Sequence, residues 1–407
     1  MLIFKISKNF KYLISQGPIQ DRSTRAAKLD QNKILLIGML DSPHFHKWLS
    51  AITKELPSKK VLIFPSDRPR SFDKKVVMGT RKQKFIRIFR LFPNIQINFV
   101  LYYVLDILFG LKWRAYFLAK FIIKHKPLII HFHEMQHGAY IYNLIVNYRK
   151  VPNNSHNIIS TWGSDLTLFS WVDEHQMRIR SCLKWADVLT AEKEAELDDA
   201  LRLGFKGKFV APVYITLGEK LQSQLRYSKP SSRNLILVKG HQSETGRALN
   251  ALIVIARMTS ELRNFEIIVY SAPASVQTQV DLLRNKHQLN IKVISKITHD
   301  EMKALFQKAR VAISLAISDG LPGVLVEAMA AGAFPIQSQN SAAQKFLVHG
   351  ESGFIVNPWD FNAIRESLYK AITDDARVDH AFDLNLKSLT QNYNYDDGVA
   401  KLRKLYL

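Results

Sequence analysis

The chain has 407 residues, of which 47% are hydrophobic and 23% charged, so it is long enough for two domains and too apolar for wholesale disorder. Its single cysteine, Cys182, excludes a disulfide framework or a thiolate metal cluster within the chain and favours a reducing compartment. The formal net charge of +22 makes an acidic partner one interpretation to test.

Residues 1–30 precede the first apolar run and are predicted to form an N-terminal extension. They mix Lys with apolar residues and contain no cleavage site of small residues, so a signal peptide is not expected. The most apolar stretch, residues 99–111, is too short to span a bilayer and contains Asp106. No transmembrane helix is therefore expected.

Short β-rich apolar runs alternate with helix-length segments from residue 33 onward. This alternation is typical of buried parallel strands joined by crossover helices. Two series of five runs predict an α/β chain with two doubly wound, Rossmann-like domains. The first series is 33–40, 59–66, 127–133, 156–163 and 186–192, and the second is 233–240, 265–272, 291–297, 311–318 and 334–339.

A basic stretch runs through the first series. Residues 59–126 contain sixteen Lys or Arg and three Asp, a net charge of +13, interleaved with Phe, Ile, Leu and Trp. This pattern suits a surface that lies on an anionic membrane or receives a phosphate-bearing lipid, and nucleic acid is the other acidic partner to consider. A solvated helix face in a basic protein is an equally good interpretation, and both stay open.

The stretch "PLIIHFHEMQHGAY", residues 127–140, places His131, His133, Glu134 and His137 around the end of a predicted strand. Three imidazoles and a carboxylate would suit zinc. The spacing is not that of the helical zinc motif, however, and His131 and His133 alternate along the strand toward the same face. We therefore favour an interpretation without a metal.

The next strand end carries "STWGSDLTLF", residues 160–169. Gly163 and Ser164 would let the backbone border a binding cleft. Asp165 could orient an acceptor hydroxyl or cap the following helix, and the cap is favoured.

A polar stretch, residues 226–234, has the composition of a linker, so a domain boundary is expected at about residues 217–232. The domains are then 31–220 and 221–376. Ligands bind outside the carboxyl ends of strands in doubly wound sheets, so the natural site is a cleft where the strand ends of the two domains face each other.

In the second domain, "SDGLPGVLVEAMAAGAFPI", residues 318–336, joins a strand to a helix predicted over 324–331. Asp319 at the strand end could accept hydrogen bonds from sugar hydroxyls, and Glu327, one turn into the helix, could accept two ribose hydroxyls. Alternatively, Asp319 caps the helix, and Glu327 interacts favourably with the positive end of the helix dipole. The spacing of the two acids does not decide between ligand binding and these structural roles. The loop and the helix start could place backbone amides on a ligand. These candidate binding residues are Gly320, Leu321, Pro322, Gly323 and Val324.

The run "EAMAAGAFP", residues 327–335, with "HGESGFIVNPWD", residues 349–360, closely resembles the signature of retaining GT-B glycosyltransferases of family 4, the glycogen-synthase-like group. The first acid of that pattern is usually Glu, and here it is Asp319. The resemblance spans most of residues 33–375. It implies a GT-B fold: 31–220 on the acceptor side, 221–376 binding the nucleotide sugar across the cleft, and 377–407 as a C-terminal helix returning to the N-terminal domain.

The resemblance also implies roles for several residues. Lys239 stands where the family has Arg, and Arg247 lies near its Lys; both would stabilise the leaving diphosphate, so no metal cofactor is expected. For Arg247, a solvated position at a helix start stays an alternative. His133 matches the second His of the "HxHE" motif of phosphatidylinositol mannosyltransferases, which contacts the transferred sugar, and His131 would be structural. His44 and His46 lie in a loop that touches the acceptor or the diphosphate in the family.

The function implied is transfer of a sugar from a nucleotide-diphospho-sugar to a hydroxyl of a lipid-linked saccharide, with the anomeric configuration kept. The catalytic residues would be Asp319, Glu327 and His133, without a covalent nucleophile. The expected partners are a nucleotide sugar, a saccharide acceptor and an anionic membrane, at the cytoplasmic face of a bacterial plasma membrane where surface polysaccharide is made. The alternatives are a sugar-nucleotide epimerase or hydrolase on the same scaffold, which would usually lack the "EAMAAGxP" run, and a non-catalytic protein binding nucleic acid or membranes. RNA binding would be expected to show stacking aromatics on a recognisable module, and none is visible.

Overall fold

The computed structural model describes residues 29–68, 86–91, 95–149, 154–215 and 228–407. The predicted N-terminal extension lies outside these ranges except for residues 29 and 30, and the predicted boundary region lies outside them up to residue 227. The chain divides into two compact units. The first comprises Met1–Thr161, Asp165–Val213 and Val399–Leu407, and the second comprises Trp162–Ser164 and Tyr214–Gly398.

The first unit is built on a seven-stranded sheet in which every neighbouring pair is parallel. Its strands are β1 (Asp30–Gly38), β2 (Lys60–Pro65), β3 (Ile86–Ile88), β4 (Pro127–His133), β5 (His156–Ser160), β6 (Val188–Thr190) and β7 (Lys208–Val210). The order across the sheet is β3-β2-β1-β4-β5-β6-β7. The strand order therefore reverses between β1 and β4, which is the switch point where doubly wound sheets bind ligands.

Helices cover both faces of this sheet, and its central strands are buried on both, as Leu35 and Ile37 on one face and Leu36 on the other show. They are α1 (Pro43–Glu55), α2 (Ile95–Phe109), α3 (Lys112–His125), α4 (Tyr140–Arg149), α5 (Asp173–Trp185) and α6 (Glu196–Arg202), with a π-helical turn at Met135–Ala139 and a 3₁₀ turn at Phe169–Trp171. Helix α3 ends at Lys126, which takes the left-handed conformation (φ 48°) that often terminates helices.

The second unit holds six parallel strands. They are β8 (Leu235–Lys239), β9 (Glu266–Tyr270), β10 (Ile291–Ile294), β11 (Ala309–Ser314), β12 (Phe334–Ser338) and β13 (Phe354–Val356). The order β10-β9-β8-β11-β12-β13 puts the switch point of this sheet between β8 and β11.

The remaining helices follow these strands along the chain. They are α7 (Ala248–Ala256), α8 (Ala274–His287), α9 (His299–Lys308), α10 (Gly323–Ala331), α11 (Phe361–Thr373), α12 (Asp375–Asn392) and α13 (Tyr395–Tyr406), with 3₁₀ turns at Pro230–Ser232 and Ala342–Lys345. Helix α10 ends at Gly332, whose φ of 79° is a left-handed C-cap that glycine adopts without strain. None of the helices in the described part of the chain is both long and apolar enough to cross a bilayer.

The prediction of two doubly wound α/β domains is confirmed, and each of the ten predicted strands is present. The structure adds the short strands β3 and β7, and β13 within the second family motif. The segment 377–407, predicted as one helix, contains most of α12 and all of α13. Of this segment, residues from Val399 onward belong to the first unit.

Candidate functional site

The switch point of the second sheet brings together two predicted residues from distant parts of the chain. Strand β8 ends at Lys239, and the segment that leaves the neighbouring strand β11 reaches Asp319. The Lys239 Nζ atom lies 3.7 Å from Asp319 Oδ2, and both side chains are partly exposed. A cation and a carboxylate thus stand side by side where this fold class binds ligands.

The loop after Asp319 excludes the capping interpretation of that residue. Asp319 Oδ1 accepts a hydrogen bond from the Gly320 amide at 2.9 Å, and the helix α10 begins after Pro322, which provides no side-chain cap. Leu321 and Pro322 are buried. The next two residues, Gly323 and Val324, form the partly exposed first turn of α10, where backbone amides have no acceptor within the helix. The loop therefore presents amides beside the Asp319 carboxylate.

Glu327 lies in the second turn of α10, whose first turn holds no acid, so the macrodipole interpretation of Glu327 is wrong. Its Oε1 atom is 3.5 Å from Nδ1 of His299, the first residue of α9. A capping box, in which Thr298 and Glu301 exchange hydrogen bonds, fixes the start of α9 and with it the position of His299. His299 was not predicted from the sequence, because only the packing of two helices brings it to Glu327.

Strand β9 contributes Tyr270 to this region. Its hydroxyl is buried, and burial, followed by the negative charge of Glu327, holds the pKa of Tyr270 well above its ordinary value. The phenol is therefore neutral at physiological pH, and Glu327 is the charged group on this side of the site.

Gly240 follows Lys239. The backbone around the end of strand β9 leaves no room for a side chain at Gly240. A Cβ at this position would lie 2.7 Å from the Tyr270 carbonyl oxygen, to which the Gly240 amide donates. The next residue, His241, was also missed by sequence reasoning. Partial burial of its ring, and then the charge of Lys239, lower the pKa of His241.

Arg247 is not brought to Lys239 and Asp319 by any contact that the structure shows. It occupies the N-cap position of α7, and its guanidinium donates to the carbonyls of Ser243 at 2.9 Å and Gly246 at 2.7 Å. The same group lies over the Trp359 ring, 4.9 Å from its centre. Arg247 therefore stands at a helix start and is partly exposed, as the alternative expected, and its guanidinium is held by carbonyls of its own loop.

In the first unit, the two histidines of β4 lie on the same face of the strand, as their alternation predicts. Their rings are buried, with centroids 4.1 Å apart. His131 is hydrogen-bonded to the Ser160 hydroxyl at 2.7 Å and to the Tyr406 hydroxyl. Both ring nitrogens of His133, in contrast, have no hydrogen-bond partner among the described residues. Burial lowers the pKa of His133 to about 3, so its imidazole is neutral.

The residues after β4 are fixed by a π-helical turn. Glu134 adopts a positive φ of 84°, which is rare for a residue with a side chain, and its carboxylate accepts from the amides of His137 and Gly138. The His137 ring also bonds this carboxylate at 2.7 Å, which raises the pKa of His137. Asp165 accepts from the Met135 amide at 2.9 Å. Asp165 therefore caps the start of this turn and not the helix that follows it in sequence.

The remaining predicted residues are placed as follows. Gly163 has a φ of 98°, and a Cβ at this position would lie 2.0 Å from the Gly320 amide nitrogen. Gly163, Gly320 and the partly exposed Ser164 all belong to the second unit. His46 is hydrogen-bonded to the carbonyl of Leu40, which closes the loop between β1 and α1. His44 is exposed on the first turn of α1. Neither histidine is brought to His133 by a hydrogen bond that the structure shows.

Beside the strand ends of the first sheet lies a buried acid that sequence reasoning missed. Glu196 accepts a hydrogen bond from the Thr161 hydroxyl at 2.6 Å. Burial raises the pKa of Glu196 to about 7.

Over the ranges that the structure describes, no group of three or more His, Cys, Asp or Glu side chains is placed to hold a metal ion.

Known proteins share this architecture over nearly the whole chain. Sucrose-phosphate synthase from Thermosynechococcus elongatus superposes with a TM-score of 0.68 at 16% identity, covering 92% of this chain and 98% of that one. The Anabaena protein HepE, in a structure with UDP and glucose, superposes with a TM-score of 0.64 at 14% identity, with the same coverage. The two parallel sheets and these matches define the fold as GT-B.

Sequence comparison points to the same class of protein. Residues 227–387 match the family model described as "Glycosyl transferases group 1". The N-acetyl-alpha-D-glucosaminyl L-malate synthase of Bacillus anthracis is 19% identical over 251 residues. That alignment covers 60% of this chain and 65% of the relative, just under two thirds of its length. The predicted resemblance to group 1 glycosyltransferases is confirmed.

Proposed function

We propose that the chain transfers a sugar from a nucleotide-diphospho-sugar to a hydroxyl of a lipid-linked saccharide, with the anomeric configuration retained. The observation that carries this proposal is the contact of Lys239 with Asp319 at the switch point, with Glu327 on the helix that follows. The UDP and glucose in the structure of HepE support a nucleotide-sugar donor. The acceptor and the retention are inferred from the family signature.

In the proposed complex, the donor lies on the second unit. Glu327 accepts two hydrogen bonds from ribose hydroxyls, and Asp319 accepts from hydroxyls of the sugar. The amides of Gly323 and Val324 receive diphosphate oxygens, since the first turn of a helix is a ready anion site. His299, 3.5 Å from Glu327, keeps that carboxylate oriented.

The reaction needs stabilisation of charge on the leaving group. As the bond between the anomeric carbon and the diphosphate oxygen breaks, negative charge develops on the diphosphate, and the Lys239 ammonium stabilises it. The acceptor oxygen forms its bond to the anomeric carbon on the same face, and its proton passes to the departing diphosphate oxygen. No covalent nucleophile and no metal ion is part of this proposal.

His133 is proposed to contact the transferred sugar. Leaving its buried ring nitrogens without partners costs about 1 to 3 kcal/mol per group, and a sugar hydroxyl would relieve that cost. Because the pKa of His133 is lowered to about 3, the imidazole acts as a neutral hydrogen-bonding group and not as an acid.

The acceptor is proposed to reach the enzyme from a membrane surface. Helix α2 exposes apolar side chains on one side, at the helical spacing of three, four and seven residues. They are Ile97, Val100, Tyr103, Ile107 and Leu108. In the sequence, this helix lies within the stretch of net charge +13, and a segment that is both basic and apolar favours an anionic bilayer.

A panel of UDP-, GDP- and ADP-sugars, scored by the shift in melting temperature, tests the donor site. A ligand present at about 100 times its Kd stabilises the folded protein by about 2.7 kcal/mol, which is about 5 to 10 °C for a domain of this size. We expect one nucleotide class to stabilise the wild type and Glu327→Ala to lose most of the shift. Glu351→Ala, at an exposed position of the same unit, is the matched control and keeps the shift. If no nucleotide sugar stabilises the wild type, the proposal fails.

A further inference from the structure

A pocket of about 290 Å³ lies in the first unit between the edge strand β3 and helix α3. Strand β3 is two strands away from the switch point, so this pocket is separate from the strand-end loops that carry His133. Nothing in the proposed sugar transfer uses it. Its lining combines positive charge with aromatic rings, and the two features point to one kind of ligand.

Four cations line the pocket, two from β3 and its end, Arg87 and Arg90, and two from α3, Lys120 and Lys124. No acidic residue is among the lining residues. Among the described residues, Arg87, Lys120 and Lys124 form no ion pair with a carboxylate, although ion pairs occur elsewhere in this unit. The charges of Arg87, Lys120 and Lys124 repel one another, and an anion that enters the pocket relieves that repulsion.

The positive charges around the pocket also act on His125, which lines the pocket at the end of α3. Burial, and then the charges of Arg87, Lys33 and Lys124, lower the pKa of His125. The histidine is therefore neutral at physiological pH and can accept or donate a hydrogen bond without adding charge.

The apolar part of the lining consists of three phenylalanines. The ring centre of Phe89, the residue after β3, lies 5.9 Å from that of Phe117 and 5.6 Å from that of Phe121. Because Phe117 and Phe121 are one helical turn apart, as are Lys120 and Lys124, rings and ammonium groups occupy neighbouring stripes of α3. A ligand with an anionic head and an apolar body would contact both.

We propose that this pocket binds the phosphate or diphosphate group of a phosphate ester, with the apolar part of the ester against the phenylalanine rings. Basic side chains contribute charge-assisted hydrogen bonds to phosphate oxygens, and Arg87 and Arg90 offer the planar fork that suits them. The phosphate is that of a lipid headgroup or of a soluble ester, which share this chemistry.

Titration calorimetry with inorganic pyrophosphate, and sedimentation with phosphatidylcholine vesicles with and without phosphatidic acid, test the proposal. Every protein carries Lys239→Ala, so that the proposed diphosphate site of the second unit does not contribute. We expect pyrophosphate binding that weakens about tenfold or more in Lys120→Gln/Lys124→Gln. The control, Lys184→Gln/Lys206→Gln, removes the same charge at exposed positions of the same unit and keeps the affinity.

The vesicle arm separates the two sources of phosphate. If the Lys120/Lys124 variant also loses binding to phosphatidic acid vesicles, the source is a lipid headgroup; if it loses only pyrophosphate, the source is a soluble ester. The proposal is overturned if the control variant loses as much as the pocket variant, or if neither differs from its parent. Pocket-dependent binding of a polynucleotide without binding of pyrophosphate would overturn it as well.

Discussion

Asp319 lies 3.7 Å from the Lys239 ammonium and also accepts a hydrogen bond from the Gly320 amide of its own loop. One carboxylate oxygen is thus used to shape the loop, and the other faces the cation. The family pattern usually has Glu at this position, which would place the carboxylate one methylene farther from the strand end. The shorter Asp319 is one point at which the chain departs from the family pattern.

Substitution of Asp319 tests its proposed contact with the sugar. Asp319→Ala removes hydrogen bonds to a charged acceptor, worth about 1.5 to 3 kcal/mol each, so kcat/KM should fall about tenfold to a hundredfold or more. Asp319→Glu restores the family residue and should stay within about tenfold of the wild type. Steady-state kinetics with the stabilising donor measures both. An alanine variant as active as the wild type would remove Asp319 from the site.

Glu196 predicts a dependence of stability on pH. Its pKa of about 7 in the folded chain lies above the ordinary value of 4.5, so the folded state binds this proton more tightly than the unfolded state. The stability that this bound proton contributes to the folded state is fully present below about pH 4.5 and is lost as the pH rises through about 7. Relative to Glu196→Gln, the free energy of unfolding of the wild type should fall by about 2 to 3 kcal/mol between about pH 5 and pH 8.

Urea unfolding of both proteins across this pH range measures the difference. Glu194→Gln removes an exposed carboxylate two residues away and should show no comparable slope against the wild type. Parallel pH profiles for the wild type and Glu196→Gln would show that the buried carboxyl is ionised at neutral pH.

At the scale of elements, helix α13 reaches the histidine pair through one side chain. Tyr406 is fully buried, and its hydroxyl bonds the His131 ring, which in turn lies against His133. The last helix of the chain thus fixes the orientation of His131 from one side, and Ser160 of β5 fixes it from the other.

Tyr406→Phe removes this hydrogen bond and leaves a buried nitrogen of His131 without its partner. The expected loss of unfolding free energy is about 1 to 3 kcal/mol, measured by urea unfolding. Tyr369→Phe on the exposed surface of α11 should change stability by less than about 0.5 kcal/mol. Equal effects of the two substitutions would mean that the contact with His131 contributes no stability.

The elements that sequence reasoning found and those it missed differ in burial. The ten predicted strands read as apolar runs because helices cover both faces of their sheets. Strands β3 and β7 are the two edges of the first sheet, have three residues each and include the exposed Arg87 and Lys208, so no apolar run marks them. Edge strands are half solvated, and only their pairing with β2 and β6 reveals them.

Two residues of the candidate site were located from the sequence. The family resemblance indicated Lys239 and the end of a predicted strand indicated Asp319, and the two strands concerned meet at the switch point. The partners of Arg247 and Glu327 could not be located in this way, since they depend on a loop that folds back on its own carbonyls and on the packing of α9 against α10. No local sequence pattern encodes contacts of that kind.

At the scale of the whole molecule, charge is distributed unevenly along the chain. More than half of the net charge of +22 falls within residues 59–126 of the sequence, the stretch that also contains α2. A field of this size attracts anionic surfaces over about 10 Å at 0.1 M salt and weakens as salt rises. The proposed association of the chain with a membrane should therefore be salt-dependent.

Sugar transfer itself is the most direct measurement of the central claim. The nucleotide sugar that stabilises the wild type is incubated with a lipid extract of bacterial membranes, and release of nucleoside diphosphate is followed together with transfer of labelled sugar into the lipid phase. We predict that release requires the extract, that label enters the lipid phase with retained configuration, and that Lys239→Ala slows both. Release that proceeds equally without the extract, or conversion of the donor into a different nucleotide sugar, would contradict the account.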